Sequence, residues 1–264
     1  MNINDFEMNQ LVLSSQIFRT ITAEEAKLAP YKIYFEYLIK IGVINRYHLP
    51  IENGSGKVTN RINLWLHTLD LLPSNSTVLE FGVYRGRSIN FMSNFRKDCL
   101  FYGFDKFEGL PEDWVLPDGS VKSKKGYFNS KRIKDKLFFN SNVIIKDGWF
   151  NETLPDFLKT LSTEEKQRVN LLHIDCDIYS STVFVLEQLA EIIKNNKPFI
   201  LFDEFIHTIR IPFKDRTESG VKFKAASGCE SIAFKEFVNK YNINFEVIGQ
   251  SQKIGNKIVL IKIL

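Results

Sequence analysis

STVLEFGVYRGRSINFMSNFRKDCLFYGFD, residues 76–105, is the stretch that decides the fold. An apolar run leads into a loop with two glycines, an amphipathic segment begins near Arg87, and a second apolar run ends at Asp105. Strand, glycine turn, helix and strand in this order form the βαβ unit of a parallel sheet. The stretch therefore predicts the α/β fold class.

The same alternation continues toward the C-terminus. Further apolar runs occupy residues 142–148, 169–175 and 197–203, and helical patterns occur near 153–161, 181–194 and 230–240. The runs are apolar almost throughout, as expected for strands covered by helices on both faces. The last two runs, residues 244–249 and 257–264, lie too close together for a crossover helix. They predict an antiparallel pair at one edge of the sheet.

The N-terminal part has a different pattern. Residues 24–44 and 61–72 repeat apolar residues at a spacing of three to four, which is typical of helices. A chain of 264 residues suits one large core with additions better than two full domains. We therefore expect an N-terminal helical extension or lid at 1–72 and the main domain at 73–264.

Composition excludes several function classes. The net charge of +4 arises from 35 basic and 31 acidic residues without a long basic block, which argues against nucleic-acid binding. No apolar run approaches the roughly 18 residues of a membrane span, and the first residues lack a basic signal-peptide region. The three cysteines are widely spaced, so neither a disulfide framework nor a cysteine zinc site follows. A cytoplasmic protein with a small-molecule substrate is expected.

Acidic residues and glycines follow the apolar runs. In open α/β sheets, ligands bind beyond the carboxyl ends of the strands, so these residues should share one rim. That rim is the candidate active site. The residues concerned are Glu80, Gly82, Asp105, Asp147, Gly148, Asp175 and Asp203.

The loop after the first run is suited to a nucleoside ligand. Gly82 and Gly86 allow a tight turn and a close approach of the backbone, and Ser88 at the start of the helix could hold an anion such as a cofactor carboxylate. The spacing G-x-x-x-G differs from the G-x-G-x-x-G of dinucleotide sites, which disfavours NAD and FAD. Asp105, about 20 residues later, is placed to accept hydrogen bonds from ribose hydroxyls. An ordinary capping role for Asp105 is the alternative.

Two further segments predict a metal site: HIDCDIYSST at 173–182 and FDEF at 202–205. Asp175 and Asp203 offer hard oxygen ligands on adjacent strand ends, which suits Mg²⁺. A divalent ion there would lower the pKa of a substrate hydroxyl, and a nearby carboxylate or imidazole would take its proton. Alternatively, Asp177 caps the following helix and Glu204 is solvated.

The remaining candidates are histidines, a cysteine and a basic segment. His173 is interpreted as a packed core histidine and Cys176 as a small filler. His207 follows the metal candidates and is a candidate general base. Residues 206–228 carry several basic side chains and are expected to form either a lid over the acceptor site or a solvated loop.

Five segments in order resemble the macrocin O-methyltransferase family: LEFGVYRGRS, YGFDKFEGLPE, DGWFNETLP, HIDCDIYSST and FDEF. These enzymes use S-adenosylmethionine to methylate sugar hydroxyls. The resemblance covers about residues 76–205. It implies a Rossmann-like class I methyltransferase fold, with a seven-stranded, mostly parallel sheet and an antiparallel last strand.

The resemblance also implies roles for individual residues. Mg²⁺ would be bound by Asp175, Asp203 and the next residue, which is Glu204 here and usually Asp in the family. Asp175 would also be the base. Adenine would lie near Asp147, Gly148 and Trp149. The other implied cofactor contacts come from Glu80, Gly82, Tyr84, Gly86, Ser88 and Asp105.

The expected function is therefore a Mg²⁺-dependent O-methyltransferase that acts on a sugar, either a nucleotide sugar or a glycosylated natural product. The N-terminal part often shapes acceptor specificity or dimer contacts in such enzymes, so a homo-oligomer is compatible with the resemblance. The alternatives are a catechol-like phenol as acceptor, a glycosyltransferase that uses Asp175 and Asp177 as an Asp-x-Asp motif, and a non-catalytic binding module.

Overall fold

The computed structural model describes residues 2–14, 16–18, 60–211, 222–251 and 256–264. The strands are β1 Gln16–Phe18, β2 Thr77–Phe81, β3 Leu100–Asp105, β4 Trp114–Val115, β5 Val121–Ser123, β6 Val143–Asp147, β7 Val169–Ile174, β8 Phe199–Ile211, β9 Lys222–Ser227, β10 Phe245–Ser251 and β11 Asn256–Ile263. The α-helices are α1 Asp5–Ser14, α2 Asn60–Asp70, α3 Arg87–Phe95, α4 Phe150–Thr160, α5 Thr163–Gln167, α6 Tyr179–Gln188, α7 Ala190–Asn196 and α8 Cys229–Tyr241. A short 3-10 helix spans Lys131–Lys136.

Nine of the described strands form the central sheet, and the seven that were expected have the order β10-β11-β8-β7-β2-β3-β6. β2 pairs in parallel with β3 and β7, β3 with β6, and β7 with β8. β11 runs antiparallel to both β8 and β10. The Rossmann-like fold with a reversed last strand is therefore confirmed.

Helices cover both faces of this sheet, as the apolar strands predicted. Alternate residues of β2 show the division, because Leu79 and Phe81 pack in the larger core while Val78 packs in the smaller core on the other face. The smaller core also contains Trp65 of α2 and Phe91 of α3. A strand buried on both faces carries its polar groups at its end, and this directs them to one rim.

The N-terminal part contributes to both cores. Met8 and Val12 of α1 are buried in the larger core, and the helix predicted at 61–72 is α2. β1 was not predicted, and it extends the sheet by pairing in parallel with β10. The helix expected at 24–44 lies outside the described residues. The division at residue 72 stays a prediction.

Of the two alternatives for residues 206–228, the solvated loop is wrong for the part that is described, and the lid over the acceptor site stays a prediction. β8 continues to Ile211 and pairs antiparallel with β9 over six residue pairs. The register between β8 and β11 shifts between Phe202 and Ile206, so a bulge contains Asp203 and Glu204. Pairing with β7 ends at Phe202, which places both acids just beyond the rim.

A small hairpin, β4–β5, lies above the rim. Trp114 of β4 is buried and packs in a separate cluster with Leu110, Ile178 and Cys229. The Cys229 thiol donates a hydrogen bond of 3.2 Å to the carbonyl of Val115. The hairpin is therefore fixed to the starts of α6 and α8. None of the described helices is long and apolar enough to cross a membrane.

We predict that Met8→Ala lowers the free energy of unfolding by about 2–5 kcal/mol, because it leaves a cavity in the larger core. Phe6→Ala on the same helix is the matched control, since Phe6 is 71% exposed whereas Met8 is 1% exposed. The control should change stability by less than about 0.5 kcal/mol. Urea unfolding measures both, and equal effects would contradict the docking of α1 on the core.

Candidate active site

A cavity of about 740 Å³ opens along the rim of the sheet, beyond the ends of β2, β3, β6, β7 and β8. Its size is within the usual range of small-molecule sites. The structure brings most of the expected site residues to its wall: Gly82, Tyr84, Asp105, Gly148, Trp149, Asp175, Asp203 and Glu204. Four others, Glu80, Gly86, Ser88 and Asp147, are not on this wall.

The glycine loop brings β2 and β7 close together at their ends. Gly82 has φ +96°, and a Cβ at this position would stand 2.1 Å from the carbonyl oxygen of Asp175. The Asp175 amide donates a hydrogen bond of 2.9 Å to the carbonyl of Phe81. Only glycine permits this approach, so Gly82 fixes the position of Asp175 relative to the loop.

Asp105 holds the same loop from the end of β3. One carboxylate oxygen accepts hydrogen bonds from the amides of Val83 and Tyr84, at 2.8 and 2.6 Å. The other oxygen accepts from the amide of Phe107 at 2.6 Å. A carboxylate has about four acceptor sites, so capacity for one further donor remains. Asp105 thus shapes the loop and still lines the cavity, and it caps no helix.

The segment after β6 is divided between surface and cavity. The Asp147 carboxylate forms an ion pair with Lys134, outside the cavity wall. Gly148 and Trp149 line the cavity. The expected adenine contact is therefore geometrically available to Gly148 and Trp149 but not to the side chain of Asp147.

Glu80 and Ser88 lie beneath the loop instead of in the cavity. Glu80 is fully buried, and the Ser88 hydroxyl donates to it at 2.8 Å. Its second oxygen contacts His173 Nδ1 at 2.9 Å. Gly86 is required by packing, since a Cβ there would stand 2.7 Å from the ring of Phe139. These three residues therefore support the loop from behind.

His173 is fully buried, as expected, but it is also part of the site. Its Nδ1 contacts Glu80, and its Nε2 faces an oxygen of Asp203 at 3.9 Å. That distance is too long for a hydrogen bond but short enough for strong Coulomb attraction in a buried region. Burial lowers the pKa of His173, yet the two carboxylates more than reverse this and raise the pKa to about 10.

Carboxylates crowd the rim next to His173. Among the described residues, the groups whose ligand atoms converge within 4.8 Å are His173, Asp175 and Asp203. Asp203 is almost fully buried, whereas Asp175 is partly exposed to the cavity. Hard oxygen atoms that converge in this way fit a divalent cation.

Two neighbouring acids, Asp177 and Glu230, have raised pKa values. Burial raises the pKa of Asp177, and the charges of Asp175 and Glu204 raise it further. Burial also raises the pKa of Glu230, again with a contribution from Asp175. The helix-capping alternative for Asp177 is not observed, because Ile178 is the residue before α6.

Glu204 is neither solvated nor part of the convergent group. It is 8% exposed, and its carboxylate lies 3.2 Å from the ammonium of Lys122. Its amide donates a hydrogen bond of 2.9 Å to Glu230. Lys122 in turn lies 3.5 Å above the ring of Trp114. The solvated interpretation of Glu204 is therefore wrong.

The remaining candidates are placed as follows. Cys176 is 6% exposed and packs in the larger core, which agrees with a filler role. The backbone of His207 lies in β8 opposite Asn256 and Ala226, and its side chain is outside the described residues. A general-base role for His207 stays a prediction.

Sequence reasoning missed Lys122, Trp114 and Glu230. A signal for the hairpin was present, because residues 117–119 read Pro-Asp-Gly between two short β-prone segments. No comparable signal marks Glu230, since a glutamate in an amphipathic helix is ordinarily exposed.

Comparisons with known proteins agree with this geometry. Residues 79–205 match the family model described as a methyltransferase domain. This region spans the strands and loops that form the cavity, from β2 to the bulge in β8.

The protein is a methyltransferase.

The structure of one known O-methyltransferase supports the Rossmann-like fold. The chain is similar to the O-methyltransferase NovP, with 17% identity, 88% of this chain and 98% of that chain covered, and a TM-score of 0.50. It also matches the precorrin-6y C5,15-methyltransferase from Geobacter metallireducens GS-15, with 12% identity, coverage of 76% and 85%, and a TM-score of 0.39. None of the curated proteins compared with the chain matches it. Membership of the macrocin O-methyltransferase family stays a prediction.

We predict that His173 of the metal-free methyltransferase is still protonated at about pH 8. Its pKa is raised from 6.5 to about 10, so its stabilising charge is fully present below pH 6.5 and is lost as the pH rises toward 10. Imidazole ¹⁵N chemical shifts measure the protonation directly. Glu80→Gln should lower the pKa of His173, and a neutral ring at pH 8 in the unmodified protein would contradict the assignment.

Proposed function

We propose that the protein is a Mg²⁺-dependent O-methyltransferase that transfers the methyl group of S-adenosylmethionine to a hydroxyl of a sugar. The observation that carries this proposal is the cavity itself. Its wall contains both a glycine loop and convergent carboxylates, within a region that matches a methyltransferase domain.

The cavity wall fits the cofactor. The loop at Gly82 and Tyr84 exposes backbone to the cavity, and Asp105 retains acceptor capacity for a ribose hydroxyl. Trp149 offers an aromatic surface for adenine on the next strand end. Glu80, Gly86 and Ser88 would act indirectly, by holding this loop in place.

The carboxylates fit the metal. Asp175 and Asp203 offer oxygen atoms that converge. Burial, and then the charge of Asp175, raise the pKa values of the neighbouring Asp177 and Glu230. A divalent cation would reduce this repulsion. Asp175 and Asp203 are the proposed ligands, and Glu204 is considered in the next subsection.

When bound, S-adenosylmethionine supplies a methyl group on a sulfonium, and Mg²⁺ supplies a Lewis acid that lowers the pKa of a hydroxyl. The chain contributes position and charge. Gly82 and Asp105 orient the cofactor end, while Asp175, at the cavity wall, accepts the hydroxyl proton. His207 is the second candidate base. Phe150 and Phe184 add aromatic surface to the cavity wall.

A sugar suits this site, because vicinal hydroxyls chelate Mg²⁺. Lys106 and Lys125 also line the cavity, and their charges suit the diphosphate of a nucleotide sugar. A catechol-like phenol would chelate equally well and is the alternative acceptor. The match to a methyltransferase domain disfavours the glycosyltransferase interpretation. Cytoplasmic location and homo-oligomerisation stay predictions.

We predict that Gly82→Ala lowers the affinity for S-adenosylhomocysteine at least about tenfold, which corresponds to 1.4 kcal/mol. The new Cβ would collide with the Asp175 carbonyl and displace the loop. Gly119→Ala is the control, because Gly119 also has positive φ, at +82°, but nothing lies near its Cβ. Isothermal titration of both variants, with circular dichroism to confirm folding, gives the answer. Equal affinities would remove the loop from the cofactor site.

We predict that transfer of a labelled methyl group into a panel of nucleotide sugars and catechols requires a divalent cation and stops with EDTA.

Asp175→Asn should reduce the rate by about 10²–10⁴, as expected for loss of a general base, and retain binding of S-adenosylhomocysteine. Asp156→Asn is the control, since Asp156 is exposed and pairs with Lys159. An unchanged rate in Asp175→Asn would exclude Asp175 as base and ligand.

A further inference from the structure

We propose that Lys122 acts as a tethered cation that holds Glu204, so that Glu204 is not a ligand of the metal but a positioning residue. The pair would fasten the β4–β5 hairpin to the bulge in β8 at the acceptor end of the cavity. This inference rests on the proposed function for its metal site. It also departs from the resemblance, which implies that the residue after Asp203 is a ligand.

The position of Lys122 is the first observation. Its ammonium lies 3.2 Å from a carboxylate oxygen of Glu204 and 3.5 Å above the ring of Trp114. A cation over an indole face is attracted by the ring, and the attraction grows when the pair is shielded from water. Two independent partners therefore fix the ammonium in place.

The hairpin itself is firmly anchored. Trp114 is 2% exposed and packs against Ile178 and Cys229, at the starts of α6 and α8. Lys122 lies on β5, which pairs with β4, and its side chain is 28% exposed. The buried Trp114 on β4 is therefore the fixed surface against which the ammonium of Lys122 lies.

The direction of the Glu204 side chain is the second observation. Asp203 faces His173 on one side of the sheet, whereas Glu204 faces Lys122. In agreement, the ligand atoms that converge within 4.8 Å belong to Asp175, Asp203 and His173, without Glu204.

Glu204 is also held by its backbone. Its amide donates to Glu230, and a Cβ at Gly228 would stand 2.4 Å from its carbonyl oxygen. Rotation of Glu204 toward Asp175 and Asp203 would leave a mostly buried carboxylate and an ammonium without each other, which is costly. The segment that the pair fastens supplies Leu110 and Lys125 to the cavity wall. The Lys122–Glu204 ion pair therefore determines the position of the cavity wall on the acceptor side.

The decisive experiment is Mn²⁺ binding, measured by electron paramagnetic resonance, to the double variant Lys122→Gln/Glu204→Gln. The variant removes one charge of each sign, so the net charge of the site is unchanged. We expect a Kd within about threefold of the unmodified protein. Loss of a metal ligand would weaken binding by tenfold or more, and that result would overturn the proposal. Asp113→Asn/Lys124→Gln, which removes the ion pair of Asp113 with Lys124, is the matched control.

Amide hydrogen exchange of residues 110–125 tests, without any ligand, whether the Lys122–Glu204 ion pair fastens the hairpin. Lys122→Gln and Glu204→Gln should each accelerate amide exchange in the hairpin several-fold. The charge-swapped variant Lys122→Glu/Glu204→Lys should restore slow exchange, since it rebuilds the ion pair in reverse. Exchange that is unchanged in both single variants would overturn the positioning role.

Asp203→Asn separates this proposal from the proposed function. The proposed function expects Mn²⁺ affinity to fall at least tenfold in this variant, because Asp203 is a ligand. If Asp203→Asn binds Mn²⁺ as tightly as the unmodified protein, the metal site is wrongly placed and the proposed function fails. Hydrogen exchange then still decides whether Lys122 and Glu204 fasten the hairpin.

Discussion

The buried ion pair between Glu80 and His173 is the interaction on which both ends of the cavity depend. The two residues are opposite each other in the register of β2 and β7, and both are inaccessible to solvent. Glu80 also accepts a hydrogen bond from the Ser88 hydroxyl beneath the glycine loop, and Nε2 of His173 faces a carboxylate oxygen of Asp203. Removal of either charge would leave the other buried and uncompensated, at a cost of about 3–5 kcal/mol. One buried pair thus couples the cofactor loop to the acidic end of the site.

The second constraint is the crowding of five carboxyl groups, of which Asp177 and Glu230 have raised pKa values, chiefly because they are buried. Asp175, Asp177, Asp203, Glu204 and Glu230 lie near one another, and the described structure offers them the cations His173 and Lys122. Each cation is placed on a different side: His173 behind Asp203 and Lys122 beyond Glu204. Asp175 lies between them and faces the cavity. In the proposed function, a divalent cation would bind there and reduce the repulsion among the carboxylates.

The local pattern of the sequence was enough to predict the sheet, because strand polarity and apolar runs are encoded within a few residues. It also predicted the rim, since the ends of parallel strands coincide by geometry. The ion pairs that organise the site could not be predicted from such local patterns. Glu80 and His173 are 93 positions apart, and Lys122 and Glu204 are 82 apart. Nothing in a periodic pattern specifies contacts at such separations, and hence Glu80 was assigned to the cofactor rather than to His173.

The bulge in β8 explains why the strand continues beyond its two acids and why Asp203 and Glu204 have different partners. Charged residues after an apolar run usually mark the end of a strand. In β8 the two acids instead lie in the bulge, and the strand continues beyond them and pairs with β9. The bulge is held by the start of α8, through Gly228 and Glu230. Within the bulge the two side chains meet different partners, because Asp203 faces His173 and Glu204 faces Lys122. Glutamate at position 204 is one methylene longer than aspartate, and its carboxylate reaches the ammonium of Lys122 on β5 instead of a site shared with Asp203.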